Sequence, residues 1–131
     1  MPIDNIRLSQ KARDQLVTLK RRTGIPHWNT LCRWAFCRSL SEATPPPKAK
    51  HPADSNVQMD WRTFAGPHGD LYWALLRQRC HSDGLPLDDE TLAQQFRVHL
   101  HRGIGYLVGD RSLRTITDLV NEAIDVPANV T

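Results

Sequence analysis

Polar and apolar positions alternate at the start of the chain. Ile6 and Leu8 are apolar, and Asn5, Arg7 and Ser9 around them are polar. A period of two marks a short half-buried strand over 5–9. The period then lengthens. Ala12, Leu16 and Leu19 fall on one helical stripe, with Lys11, Arg13, Asp14 and Lys20 outside it, which predicts a helix over 10–22. Ser9 suits its N-cap. Lys20, Arg21 and Arg22 suit the negative end of its dipole. Gly24 is placed to end it, and Pro26 cannot continue it.

A second helix is predicted over 28–41, with Trp28, Leu31, Cys32, Ala35, Phe36 and Leu40 on a broad apolar face. Trp34, Cys37 and Arg38 lie on another side. Apolar residues on more than one face call for several neighbours, from a second subunit or from the C-terminal half of the chain. Residues 44–55, with four prolines and no periodicity, read as a stiff loop. Alternation returns over 56–62, where Val57, Met59 and Trp61 oppose Gln58, Asp60 and Arg62, and predicts a second strand. After the turn cluster at 65–69, Asp70 is placed to cap a helix to about Cys80, with Leu71, Tyr72, Leu75 and Leu76 inward. Asp88, Asp89 and Glu90 open the next helix, whose stripe is Leu92, Phe96, Leu100, Ile104 and Leu107. Gly103 and Gly105 interrupt that stripe. They imply a close backbone approach, a kink or a helix end near Arg102. Ser112 starts a last predicted helix, with Leu113, Ile116, Leu119, Val120 and Ala123 inward.

The chain of 131 residues thus reads as one domain. It comprises a basic strand-helix-helix unit at 5–41, the loop at 44–55, a mostly helical part at 56–124 and a tail at 125–131. The expected class is mainly α with short β-strands, a ribbon-helix-helix-like N-terminal part preceding a helical C-terminal part. A lone strand before two helices has an unpaired edge. One solution is antiparallel pairing with the same strand of a second subunit, making a ribbon that can enter a DNA major groove. Arg7, Asn5 and Ser9 would then face outward, and the start of the second helix (His27, Trp28, Asn29, Thr30) would offer backbone N–H groups to a phosphate.

Charge sharpens this picture. The net charge is only +3, yet residues 1–50 hold ten Lys/Arg against three acids, and residues 51–131 hold seven Arg against eleven acids. A basic half suits a polyanion. With 40% hydrophobic and 24% charged residues and no long apolar run, no membrane span is expected. The first ten residues lack secretory-signal features, and the three cysteines do not suggest a disulfide framework. The expected compartment is therefore the cytoplasm.

Candidate chemistry is sparse. Cys32 and Cys37 are five apart, Cys80 and His81 adjacent, and His99 and His101 two apart, none of them a zinc spacing. Asp88, Asp89 and Glu90 are more simply helix-start residues than a catalytic set. No phosphate-cradling loop or nucleophile elbow occurs. His99, His101 and Arg102, beside Gly103 and Gly105, form the one local cluster with the makings of a site; the plainer reading is a polar helix face ending at a glycine bend. No catalytic residue, metal or cofactor is assigned.

The stretch IRLSQKARDQLVTLKRRTGI, followed by HWNTLCRWAFCRSL, resembles the N-terminal region of the DndE family of DNA sulfur-modification (phosphorothioation) proteins. LHRGIGYLVG, Leu100 through Gly109, resembles a segment recurrent in that family. The resemblance spans the chain apart from the proline loop and the tail. It implies a multi-protein system that replaces a non-bridging phosphate oxygen of DNA with sulfur, in which partners supply sulfur, activation and ATPase functions. It implies a small tetrameric protein that binds double-stranded DNA, prefers nicked duplex and makes contact through surface lysines. Lys11 and Lys20 match the basic first helix; Lys48 and Lys50 lie in the loop. Electrostatics extends the DNA-binding set to Arg7, Lys11, Arg13, Lys20, Arg21 and Arg22.

The resulting expectation is a non-catalytic DNA-binding subunit that holds the backbone. Two rivals remain. One is a ribbon-helix-helix transcription regulator reading bases with Arg7. The other is an enzyme that nicks DNA or carries sulfur on a cysteine. Cys37 is the best carrier candidate, since Arg33 and Arg38 would favour its thiolate.

Overall fold

The computed structural model of the protein describes residues 3–110 and residue 120. The order of elements is β1 (Asn5–Arg7), α1 (Gln10–Thr23), α2 (Trp28–Leu40), β2 (Gln58–Asp60), α3 (Trp61–Ala65), α4 (Gly69–Ser82) and α5 (Asp89–Gly109), with a 3-10 turn at Gly66–His68. The helix expected from Ser112 lies outside the described residues, except for Val120.

Local chemistry sets the ends of α1. The Ser9 hydroxyl accepts from the Ala12 amide at 3.1 Å, and the first turn thereby gains a partner for an otherwise unpaired donor. At the other end Gly24 turns left-handed at φ 74°, and its N–H reaches Lys20 O at 3.0 Å. Ala12, Leu16, Leu19 and Thr23 form the buried face.

The expected strands shorten. β1 covers Asn5–Arg7 rather than 5–9, and β2 covers Gln58–Asp60 rather than 56–62. Asp60 ends β2 because its carboxylate caps α3, accepting from Thr63 N at 2.7 Å. β1 pairs antiparallel with β2 of its own chain, in register Asn5↔Asp60, Ile6↔Met59 and Arg7↔Gln58. The edge for which a second subunit offered one solution is therefore filled from within. Ile6 and Met59 point into the core while the paired polar residues face out.

The core lies where α2 crosses α5. Leu31, Cys32, Ala35 and Phe36 meet Phe96, Leu100 and Ile104, all 0–1% exposed. Phe36, Phe64 and Phe96 form an aromatic centre with ring centroids 4.9–5.8 Å apart. Gly103 makes the crossing possible. A Cβ there would stand 1.7 Å from Ala35 O. Of the three expectations for the glycines, close backbone approach holds at Gly103, and α5 runs unbroken to Gly109. A Cβ at Gly105 would meet nothing within 4 Å.

Two expectations for α4 need correction. His68, not Asp70, occupies its N-cap position, and Asp70 sits in the first turn. Leu71 and Leu75 are 55% and 38% exposed, whereas Leu76 and Cys80 carry the burial. Helical geometry explains this, because Leu71 and Leu75 lie one turn apart on a flank that turns away from α5.

Candidate nucleic-acid interface

The six candidate cations lie on four faces rather than one. On a helix with about 100° per residue, Lys11 and Arg22 flank one side of the buried stripe of α1, and Arg13 and Lys20 flank the other. Arg21 projects from the outer face, exposed. Arg7 extends from β1 and donates to Gln58 Oε1 at 3.1 Å. On the Lys20 side, the ammonium stands 5.2 Å from the Trp28 ring centroid, and Arg13 pairs with Asp14 at 3.5 Å. On the Lys11 side, Arg22 donates to Val108 O at 2.8 Å. Lys48 and Lys50 are exposed in the proline loop.

Sequence reasoning could not foresee the fate of the arginines in the acidic half. Arg79 donates to Leu40 O, Ala43 O and Thr44 O and pairs with Asp83 at 2.9 Å. Arg102 donates to Ser39 Oγ and Ser39 O at 2.8 Å each and to Thr44 O at 2.7 Å. Arg97 donates to Arg7 O and His51 O. These three guanidiniums strap the end of α2 and both ends of the proline loop to α4 and α5. By contrast, the side chains of Lys11, Arg21, Lys48 and Lys50 make no hydrogen bond or ion pair with another described residue.

The Lys11 side borders a groove of about 540 Å³ between α1, residues 50–54 and α5. Lys11 from α1, Lys50 and His51 from the loop, and Tyr106 from α5 all line it. Among its described lining residues the one carboxylate, Asp54, already accepts from the Gln10 amide at 2.7 Å. The Tyr106 ring lies 5.0 Å from the Arg38 guanidinium and 5.6 Å from that of Arg102. The His51 ring stacks on His101 at 4.3 Å.

The His99–Arg102 cluster is not a polar helix face at a bend. His99 and His101 are 0% and 6% exposed within a continuous helix. His101 Nε2 accepts from Ser9 N at 3.2 Å, so its Nδ1 carries the proton donated to Arg97 O at 2.8 Å. Burial lowers its pKa to about 4, and the neighbouring charges of His51 and Arg97 add to that effect. Burial and the nearby Arg102 also lower the pKa of His99 to about 4. The Ser39 hydroxyl lies 2.8 Å from His99 Nδ1, yet it is fully buried and accepts from Arg102 Nε. It is therefore closed to a substrate.

The cysteines are poorly set for nucleophilic chemistry. Cys32 is fully buried and its thiol is pushed up to about 12 by desolvation. Cys80 is buried and raised for the same reason. Cys37 is an exposed residue, but local desolvation raises its thiol too, opposite to the thiolate-favouring effect expected of Arg33 and Arg38. Asp88 caps α5, accepting from Thr91 Oγ1 at 2.7 Å and Thr91 N at 3.1 Å, which holds its carboxyl below the ordinary range. Among the described residues no three His, Cys, Asp or Glu side chains gather as a metal site. No described helix is long and apolar enough to cross a membrane.

Two comparisons place this geometry beside known proteins. A family model described as DNA sulphur modification protein DndE matches residues 5–115. Among solved structures, the chain is similar to DndE from Escherichia coli B7A, described as involved in DNA phosphorothioation modification. Identity is 27%, the match covers 82% of this chain and 98% of that one, and the TM-score is 0.68. A lysine-substituted DndE mutant involved in DNA phosphorothioation is 24% identical, with 79% and 95% coverage and a TM-score of 0.62, and shares the fold. No curated protein matches the chain.

Proposed function

The chain belongs to the DndE family and so to the DNA phosphorothioation system, and from that premise we propose that it is a non-catalytic subunit that holds the DNA backbone. The observation that carries the reading is the division of labour among its cations. Arg79, Arg97 and Arg102 are consumed by backbone carbonyls. Lys11, Arg21, Lys48 and Lys50 are left facing solvent. Cations of the second kind displace condensed counterions from a polyanion, which is the main source of sequence-independent affinity for DNA. Arg7, Arg13, Lys20 and Arg22 extend the set around β1 and both flanks of α1.

In this reading the partners are duplex DNA, nicked duplex being preferred as the family resemblance implies, and the other proteins of the system. The protein acts in the cytoplasm. It works as a homo-oligomer, a tetramer by the same resemblance; support comes from the exposed Leu71 and Leu75 on α4 and from the α2–α4 groove lined by Trp34, Cys37 and Tyr72. A base-reading ribbon formed across two subunits would have to use the edge of β1 that β2 leaves. The raised thiols favour the backbone-holding reading over sulfur relay.

The test is fluorescence-anisotropy binding to intact and nicked duplexes of unrelated sequence across a salt series. With about six phosphates engaged, log K falls against log salt with a slope of roughly −5. A slope near zero, or tight binding to one sequence alone, overturns the proposal.

A further inference from the structure

Exposed cations account for contact with a duplex surface, but the groove between α1, residues 50–54 and α5 is a recess. Its volume of about 540 Å³ falls within the range of small-ligand pockets, roughly 300–1,000 Å³. Phosphates of an intact duplex lie along its surface, so they meet protruding side chains. A recess of this size takes a group that has left the helix.

The walls suit such a group. Lys11 and Lys50 bring two ammoniums to the lining, one from the first turn of α1 and one from the loop. Asp54, the single carboxylate among the described lining residues, is turned to the Gln10 amide at 2.7 Å. His51 and Tyr106 supply aromatic surface, and Tyr106 is 36% exposed. Cations and rings together match the phosphate and the base of one nucleotide.

The recess is also braced before any ligand arrives. His51 is stacked on buried His101 and its carbonyl is held by Arg97. Arg102, beside Tyr106, is fixed to Ser39 and Thr44. Pre-set walls reduce the ordering cost of binding. Gly105 completes the surface. It lines the groove, and its missing side chain leaves open space there.

We propose that this groove is a nucleotide-binding recess that takes a single unstacked nucleotide of a DNA strand, with the phosphate drawn to Lys11 and Lys50 and the base against His51 and Tyr106. The proposal rests on the DNA-binding reading above. It adds a place where DNA with a nucleotide free of the stack is favoured over fully paired duplex.

The experiment compares anisotropy binding of the full chain to two labelled duplexes, one fully paired and one carrying a single unpaired extrahelical nucleotide. Stacking of a base on an aromatic side chain contributes about 5- to 150-fold in affinity, so the unpaired nucleotide should improve binding at least fivefold. Gly105→Leu, which fills the recess from open space, should bring the ratio of the two affinities to about one. Tyr106→Ala should lower the ratio and Tyr106→Phe should keep it. Helical content by circular dichroism confirms that each variant is folded. Equal affinity for both duplexes with a steep salt slope overturns the recess and leaves the backbone reading standing. A ratio that survives Gly105→Leu also overturns it. No binding to either duplex at low salt overturns the DNA reading and the recess with it. Free deoxynucleoside monophosphates that compete as strongly as the unpaired duplex would make the ligand a free nucleotide and overturn the assignment to a DNA strand.

Discussion

Gly103 and Gly105 stand two residues apart on α5, and alanine at each should move stability in opposite directions. A Cβ at Gly103 would lie 1.7 Å from Ala35 O and 2.4 Å from Ala35 C, where ordinary contact begins at 3.4 Å. The obstacle is backbone, so no side chain can swing aside. α2 and α5 must separate by roughly 1.7 Å at their crossing, the difference between the 3.4 Å of ordinary contact and the 1.7 Å to Ala35 O. That opens the interface around Phe36, Phe96, Leu100 and Ile104. Overpacking of this kind costs about 3 kcal/mol or more. Alanine returns about 1 kcal/mol of helix propensity, leaving a net loss of about 2 kcal/mol. For a chain of this size the thermal midpoint should fall by about 8 °C. At Gly105 a Cβ meets nothing, and only the propensity remains, a gain of up to about 1 kcal/mol or roughly 4 °C. Urea titrations and thermal melts of Gly103→Ala and Gly105→Ala read both values. If Gly103→Ala is as stable as the parent chain, the helices do not cross at Ala35 and the account of the core is wrong.

Three further outcomes follow from the same geometry. Lys11→Ala and Arg21→Ala should each make the salt slope of DNA binding shallower by about 1, with little change in sequence preference; an unchanged slope removes that residue from the interface. His99 and His101 have folded pKa values of about 4, below the ordinary 6.5. The neutral forms are favoured by folding, so their contribution is full above about pH 6.5 and is lost as pH falls towards 4, with a slope of up to about 2.7 kcal/mol per pH unit while both titrate. His101→Ala should halve that slope in urea titrations from pH 7 to pH 4.5, and a flat profile in the parent chain would contradict the burial argument. Arg97→Ala releases Arg7 O and His51 O together; charge-assisted bonds of this kind suggest a loss of about 2 kcal/mol, and amide exchange should speed up over residues 51–58, whereas unchanged exchange would mean the strap is not holding the loop.

Much of the chain was legible from its pattern alone. The stripe at Ala12, Leu16 and Leu19, the capping Ser9 and the terminal Gly24 defined α1 to within one residue, because helix periodicity and caps are local properties. The charge division between the halves was plain from counting, and so was the family resemblance carried by residues 6–40 and 100–109. The burial of α4 was less legible. Leu71 and Leu75 are as apolar as Leu76, and only the position of α5 decides which of them faces it.

What tertiary structure decided were matters of partner. Alternation at 5–9 announced a strand, but β2 lies more than fifty residues away, and nothing local says whether a strand edge is filled from its own chain or from another. Gly103 and Gly105 look alike in sequence; one faces the Ala35 carbonyl and the other open space, because about 200° of helical rotation separates them. The arginines divide in the same way. Arg21 and Arg102 carry the same charge and side chain. One projects from the outer face of α1, and the other reaches carbonyls that only the packing of α5 against the end of α2 brings within range. Sequence determined where helices form and where charge accumulates, since those depend on neighbours along the chain. Which charges remain for a partner depends on long-range contacts, and only the fold supplies those.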